Sequence, residues 1–142
     1  MFGKIEKHIK KINDLKKAYT GEFELLLLDI FKEIFIKYPE LKCFRWNQYS
    51  PSFNDGEPCT FKVSDIYFLT KDSKIDPTEE DFENDWSYIL FNENIRNPLQ
   101  KTLQTLEDIL INNGDILNSL YGDGYQITAY ADKIEIDDYY HD

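Results

Sequence analysis

The sequence predicts an α+β fold: an antiparallel sheet of about four strands in two hairpins, with N-terminal and central helices packed on one face. Apolar residues recur every three or four positions over residues 2–38, which is typical of amphipathic helices. Aromatic and β-branched residues are dense at 41–48 and 59–68, and Asp55-Gly56 lies between these two runs as a turn. Alternating apolar and polar residues follow near the C-terminus, at 125–137.

The N-terminal pattern predicts one amphipathic helix over residues 2–19 and a second over 22–38. Thr20 and Gly21 either break the helix or only kink it, since Thr20 is a favourable cap for a new helix. Pro39 ends the second helix. The apolar stripe of the first helix, with lysines on the other side, consists of Phe2, Ile5, Ile9, Ile12, Leu15 and Tyr19.

The central helix has a well-formed start, with Asn97 as N-cap and Pro98 at the first helical position. Its pattern ends at residues 112–114, and Asp115 is expected to cap a short helix over 116–121.

In the second hairpin a turn at Ala131-Asp132 would place every apolar residue on one face, which predicts a one-sided sheet. The residues concerned are Tyr125, Ile127, Ala129, Ile134 and Ile136.

The whole chain, residues 1–142, is expected to form one domain. Carboxylates crowd the stretch 72–85, and residues 70–82 are expected to form a mobile acidic loop. A short strand or a packed loop is expected to follow at Trp86–Phe91.

The formal net charge of -11 disfavours direct binding to nucleic acid or to an anionic membrane, because both partners are polyanions. It favours a protein partner that is itself basic or nucleic-acid-binding. No export signal and no long apolar run is found in the sequence, so we expect a cytoplasmic protein.

The loop at 48–59 is too elaborate for a simple connection, and it combines aromatic side chains with amides and carboxylates. We therefore treat it, with part of the acidic stretch, as the candidate contact region. The alternative is structural: Asn54 and Asp55 would then close their own turn. The candidate binding residues are Trp46, Gln48, Tyr49, Phe53, Asn54, Asp55, Glu57, Glu79, Glu80 and Asp81.

No catalytic residue, metal or cofactor is predicted. Cys43 and Cys59 lack metal-ligand spacing and are expected to be small buried thiols in adjacent strands. Asp55 and Glu57 would form a carboxylate site only if Glu135 or Asp137 joined them, and a solvated acidic surface is the simpler interpretation.

The run from Arg45 to Cys59 resembles a family of small uncharacterised proteins of tailed phages and some bacteria, with the pattern Trp-x-Gln-Tyr-x-Pro-x-Phe-Asn-Asp-Gly-(Asp/Glu)-Pro-Cys-x-Phe. The resemblance implies a phage or mobile-element context and no particular mechanism. The matching positions are Trp46, Gln48, Tyr49, Pro51, Phe53, Asn54, Asp55, Gly56, Glu57, Pro58, Cys59 and Phe61.

The leading hypothesis is a small, acidic, non-enzymatic binding protein, plausibly phage-encoded, that acts on a host or viral protein. An inhibitor of a nucleic-acid-binding defence protein is one form of it. The second hypothesis is an enzyme or small-ligand-binding protein with its site at the 48–59 tip, with His141 as a further candidate. The third is self-association as a homodimer through residues 2–19.

Overall fold

The computed structural model describes residues 1–51, 56, 59–78 and 86–139, and these form an α+β fold with three α-helices and a six-stranded antiparallel sheet. The fold class is confirmed, but the prediction of about four strands is too low. The elements are α1 (Gly3–Lys37), β1 (Leu41–Tyr49), β2 (Lys62–Val63), β3 (Tyr67–Thr70), β4 (Ser87–Tyr88), a 3₁₀ turn (Glu93–Ile95), α2 (Pro98–Asn112), α3 (Gly114–Tyr121), β5 (Tyr125–Ala129) and β6 (Ile134–Asp138).

The N-terminal segment is one helix, α1, of 35 residues. The prediction of two separate helices is therefore wrong, and Thr20 and Gly21 lie inside α1. A glycine inside a helix costs only about 1 kcal/mol relative to alanine, which the surrounding Leu, Lys and Glu residues offset. The helix ends at Lys37, two residues before Pro39, as expected. Among the described residues, no helix has the length and apolar character needed to span a bilayer.

Strand β1 lies at the centre of the sheet, and the strand order is β4-β3-β1-β5-β6, with β2 also paired to β1. All pairs are antiparallel. Gln48 lies opposite Val63 of β2, and Phe44 lies opposite both Phe68 of β3 and Ala129 of β5. The predicted pairing of the two strands that flank Gly56 is confirmed.

The second predicted strand, 59–68, is divided into β2 and β3 by a break that begins at Ser64. Side chains replace the regular ladder there. The Asn47 N–H donates to the Ser64 hydroxyl at 2.9 Å, and the Ile66 N–H donates to a carboxylate oxygen of Glu107 at 2.8 Å. These bonds satisfy the backbone where the strand pairing stops.

The start of α2 is confirmed, because the Asn97 side chain accepts a hydrogen bond from the Gln100 N–H at 2.8 Å and Pro98 is the first helical residue. Helix α3 begins at Gly114, so Asp115 lies in its first turn. The prediction that Asp115 caps this helix is therefore wrong. The apolar stripe of α2 is buried and consists of Leu99, Leu103, Leu106 and Leu110.

The C-terminal hairpin is confirmed. Ile127 of β5 lies opposite Ile136 of β6, and the Tyr130 N–H donates to the Lys133 carbonyl at 2.8 Å across the predicted turn. Ile136 is nevertheless 47% exposed, because β6 is an outer strand of the sheet.

The sheet is buried on both sides of β1, and the one-sided pattern predicted for the C-terminal hairpin does not extend to this strand. Phe44 and Trp46 belong to the main core, where the Phe31 ring of α1 lies 5.0 Å from the Phe44 ring between centroids. Neighbouring residues of a strand point to opposite faces, and Cys43 accordingly belongs to a second cluster. That cluster also contains Leu69 and Trp86.

Candidate functional site

The first residues of the predicted binding loop are positioned by β1, and two of them lie in the core. Trp46 and Gln48 are both 0% exposed. The Trp46 indole N–H donates to Gln48 Oε1 at 3.0 Å, and the Gln48 amide donates to the carbonyls of Leu117 and Gly122 at 2.9 and 2.8 Å. Both residues therefore fasten the end of β1 to α3, and neither is placed to contact a partner.

Tyr49 and Ser50, at the end of β1, are half-buried and are attached to the C-terminal hairpin. The Tyr49 ring lies 5.2 Å from the Tyr139 ring between centroids. The Ser50 N–H donates to Asp123 Oδ1 at 2.8 Å, and the Ser50 hydroxyl donates to the other carboxylate oxygen. Asp123 is exposed apart from these bonds. We call the surface around Tyr49, Ser50, Asp123 and Tyr139 the tip.

Most of the other predicted binding residues lie outside the described residues, namely Phe53, Asn54, Asp55, Glu57, Glu79, Glu80 and Asp81, together with His141. Gly56 is described and has a φ of 86°, the left-handed conformation expected of the glycine in the predicted Asp55-Gly56 turn.

The opposite face of β1 contains a buried arginine, Arg45, that was not among the predicted site residues. Arg45 is 6% exposed. Its Nε donates to the Thr128 hydroxyl at 2.8 Å, and its terminal nitrogen donates to the Pro77 carbonyl at 2.7 Å. The guanidinium also lies 4.2 Å from the centre of the Trp86 ring. Since burying a charge without partners is costly, these contacts explain how Arg45 is accommodated. The only sequence signal was its place in β1, alternating with Phe44 and Trp46.

The described part of the acidic stretch is attached to the sheet next to Arg45. The Lys42 ammonium donates to the Ile75 carbonyl at 3.1 Å. Asp76 accepts hydrogen bonds from the Thr78 hydroxyl at 2.7 Å and from the Thr78 N–H at 2.9 Å, and these bonds lower the pKa of Asp76. Residues up to Thr78 are thus held by backbone and side-chain contacts.

The two cysteines differ in environment. Cys43 is fully buried, as predicted, and burial raises the pKa of its thiol to about 11. Cys59 is exposed and lies outside the strands, so the prediction that it is buried in an adjacent strand is wrong. Both thiols are free. A thiol with a raised pKa is a poor nucleophile at neutral pH, which leaves Cys43 a packing role.

The predicted carboxylate site is described only in part. Asp55 and Glu57 lie outside the described residues, whereas Glu135 forms an ion pair with Lys133 at 2.9 Å and Asp137 is exposed on β6. Within residues 1–51, 56, 59–78 and 86–139, no three His, Cys, Asp or Glu side chains are grouped as ligands for a metal ion.

Glu107 of α2 is a buried carboxylate that was not among the predicted site residues. Besides the Ile66 N–H it accepts a hydrogen bond from the Gln104 amide at 3.0 Å. Burial raises the pKa of Glu107, and these hydrogen bonds oppose the shift only in part. Its position within the apolar stripe of α2 was the signal, since Leu103, Leu106 and Leu110 surround it in sequence.

The first half of α1 is a separate candidate surface. Every residue from 1 to 19 is exposed, and we call residues 3–19 the arm. The predicted apolar stripe is therefore uncovered, with Ile5 at 62%, Ile9 at 52% and Ile12 at 40% exposed. Residues 1–20 contain six Lys against two acidic residues, whereas residues 21–142, which we call the body, contain ten basic and 25 acidic residues. The arm and the body thus have opposite net charge.

Comparison of the chain with protein-family models, with curated proteins and with solved structures finds no match.

Proposed function

We propose that the protein is a non-enzymatic binding protein that acts on a basic protein partner through the acidic surface of its body. The observation that carries this proposal is the excess of acidic over basic residues in the body. The body contains 25 acidic residues against ten basic ones. Among the described residues, one ion pair has its charged atoms within 4.0 Å, and it joins Lys133 to Glu135. A surface of this kind steers oppositely charged partners and repels nucleic acid and anionic lipid.

The tip is the part of the body that we assign to this contact. Asp123, Asp137 and Asp138 are exposed there, beside the aromatic pair Tyr49–Tyr139. Aromatic side chains supply contact area and the carboxylates supply charge-assisted hydrogen bonds. We also infer that the helices cover the face of the sheet that carries Phe44 and Trp46.

A phage-encoded inhibitor of a host nucleic-acid-binding protein is the concrete form of the proposal that the resemblance supports. Clustered carboxylates on such an inhibitor would occupy the basic surface that normally receives phosphate groups. The alternative of a small-ligand site at 48–59 gains no support from Gln48, because its amide is fully used inside the core.

Affinity capture from a bacterial lysate tests the proposal. The wild-type chain should retain a basic protein at about 50 mM salt and release it at about 300 mM, since salt screens exposed charges. The variant Asp137→Lys/Asp138→Lys should lose the partner. Asp108→Lys/Asp115→Lys is the matched control, because it changes the net charge equally at exposed positions of α2 and α3. Equal capture by the two variants, or capture of nothing by the wild type, would contradict the proposal.

A further inference from the structure

The uncovered stripe of the arm continues into the second half of α1 with the spacing of a coiled coil. Positions three and four apart form one line along the helix, and Lys16 is the only polar residue in it. This line reaches the body without a break, because α1 is a single helix. Its members are Phe2, Ile5, Ile9, Ile12, Lys16, Tyr19, Phe23, Leu26 and Ile30.

Ile30, the last residue of that line, forms part of the wall of a groove on the body. Its volume is about 350 Å³, and it lies between the last turns of α1 and the middle of α2. Its walls combine apolar and polar side chains, and they include Ile30, Glu33, Ile34, Leu106 and Ile109. Leu26, one turn before the groove, is 59% exposed.

We propose that this surface binds a second copy of the chain, with the two α1 helices antiparallel. The charges decide the orientation. Parallel helices would place two lysine-rich arms side by side, whereas antiparallel helices place each arm along the acidic body of the other copy. The proposal goes beyond the proposed function, which concerns the tip.

Among the registers that this spacing allows, we assign the one that pairs the most apolar residues. With Ile9 opposite Leu26 of the second copy, Ile5 lies opposite Ile30 and Ile12 lies opposite Phe23, so each apolar layer is filled. Lys16 then lies against Tyr19 at the centre, where the ammonium stacks on the aromatic ring. Phe2 reaches the groove beside Glu33.

Sedimentation at about 10 and about 200 µM tests the association. The wild-type chain should reach twice its mass of 16.9 kDa. Ile9→Glu should remain a monomer. Leu25→Glu is the matched control, since Leu25 is 66% exposed but lies off the line, and it should dimerise like the wild type. At a protein concentration too low for association, circular dichroism should show the same helix content and unfolding temperature for both variants. A monomeric wild type, or a dimeric Ile9→Glu variant, would overturn the proposal.

Spin-label distances test the orientation. The labels are placed at Lys4→Cys or Lys17→Cys in a Cys59→Ser background, while Cys43 is buried. At a rise of about 1.5 Å per residue, antiparallel helices separate the two Lys4 labels by about 40 Å along the axis and bring the Lys17 labels side by side. Short distances for both labels would indicate parallel helices and overturn the proposal. A wild type that stays monomeric and co-sediments with phosphatidylglycerol vesicles would overturn it in favour of a lipid surface.

Discussion

The two halves of α1 have the same apolar periodicity but opposite environments. In the second half, Leu27, Phe31, Ile34 and Phe35 are buried in the main core. In the arm, by contrast, every residue is exposed. The comparison teaches that periodicity predicts a helix and its apolar face, while burial depends on whether another element lies beside that face.

The largest expected effect separates the two halves directly. Phe31→Ala should lower the free energy of unfolding by about 3–5 kcal/mol, because it empties a site 3% exposed among packed aromatic rings. Ile9→Ala should change it by about 0.5 kcal/mol or less in the monomer. Urea unfolding at low protein concentration measures both values. Similar losses in the two variants would mean that the arm packs on the body.

A second prediction extends the comparison to polar residues. Gln48→Ala should cost about 2–3 kcal/mol, because it leaves the Trp46 N–H and the carbonyls of Leu117 and Gly122 without their partner. The exposed Asn112→Ala variant should differ from wild type by about 0.5 kcal/mol or less. Thermal unfolding followed by circular dichroism gives the comparison, and a neutral Gln48→Ala variant would refute the core assignment.

The pH dependence of stability should also distinguish the body, which contains the buried Glu107, from the arm. Burial raises the pKa of Glu107 above its value in the unfolded chain, so the folded state binds the proton more tightly. This contribution favours folding at low pH and is lost as the pH rises through the raised pKa. Glu107→Gln should remove this component from unfolding curves measured between about pH 4 and 7. Deletion of residues 1–19 should leave it in place, and an unchanged pH profile in Glu107→Gln would contradict the prediction.

The smallest change in stability is expected at Gly21, where the two halves of α1 join. Gly21→Ala should stabilise α1 by about 0.5–1 kcal/mol, because alanine is the better helix former and no atom beyond the adjacent helix backbone lies within 4 Å of the added Cβ. The control is Gly122→Ala, which should destabilise the fold, since Gly122 has a φ of 93° and its Cβ would lie 2.9 Å from the Tyr125 ring. Loss of helicity at 222 nm in Gly21→Ala would indicate a kink at that position.

Much of the fold follows from local patterns. The cap at Asn97, the turn at Ala131-Asp132 and the pairing around Gly56 all depend on short-range chemistry, and each is confirmed. The continuity of α1 was missed because Thr20-Gly21 resembles a helix boundary, although one glycine costs only about 1 kcal/mol relative to alanine within a helix of 35 residues. The division of the second strand depends on Glu107, which is distant in sequence.

The candidate site was harder to predict because exposure depends on tertiary contacts. Trp46 and Gln48 have the composition of a binding loop, yet α3 and Gly122 bring them into the core. In the sequence Arg45 is an ordinary polar residue of a predicted strand. In the structure it is enclosed by Pro77 and Trp86. No pattern within β1 contains that information.

The contrast between the two thiols provides a reporter in the natural sequence. Cys59 is accessible and belongs to the segment that follows the tip, while Cys43 is sealed inside the sheet. A maleimide fluorophore would therefore attach at one location without any mutation. Its emission would follow events at that end of the sheet in real time, and the rate of its attachment would reveal any ligand that shields it.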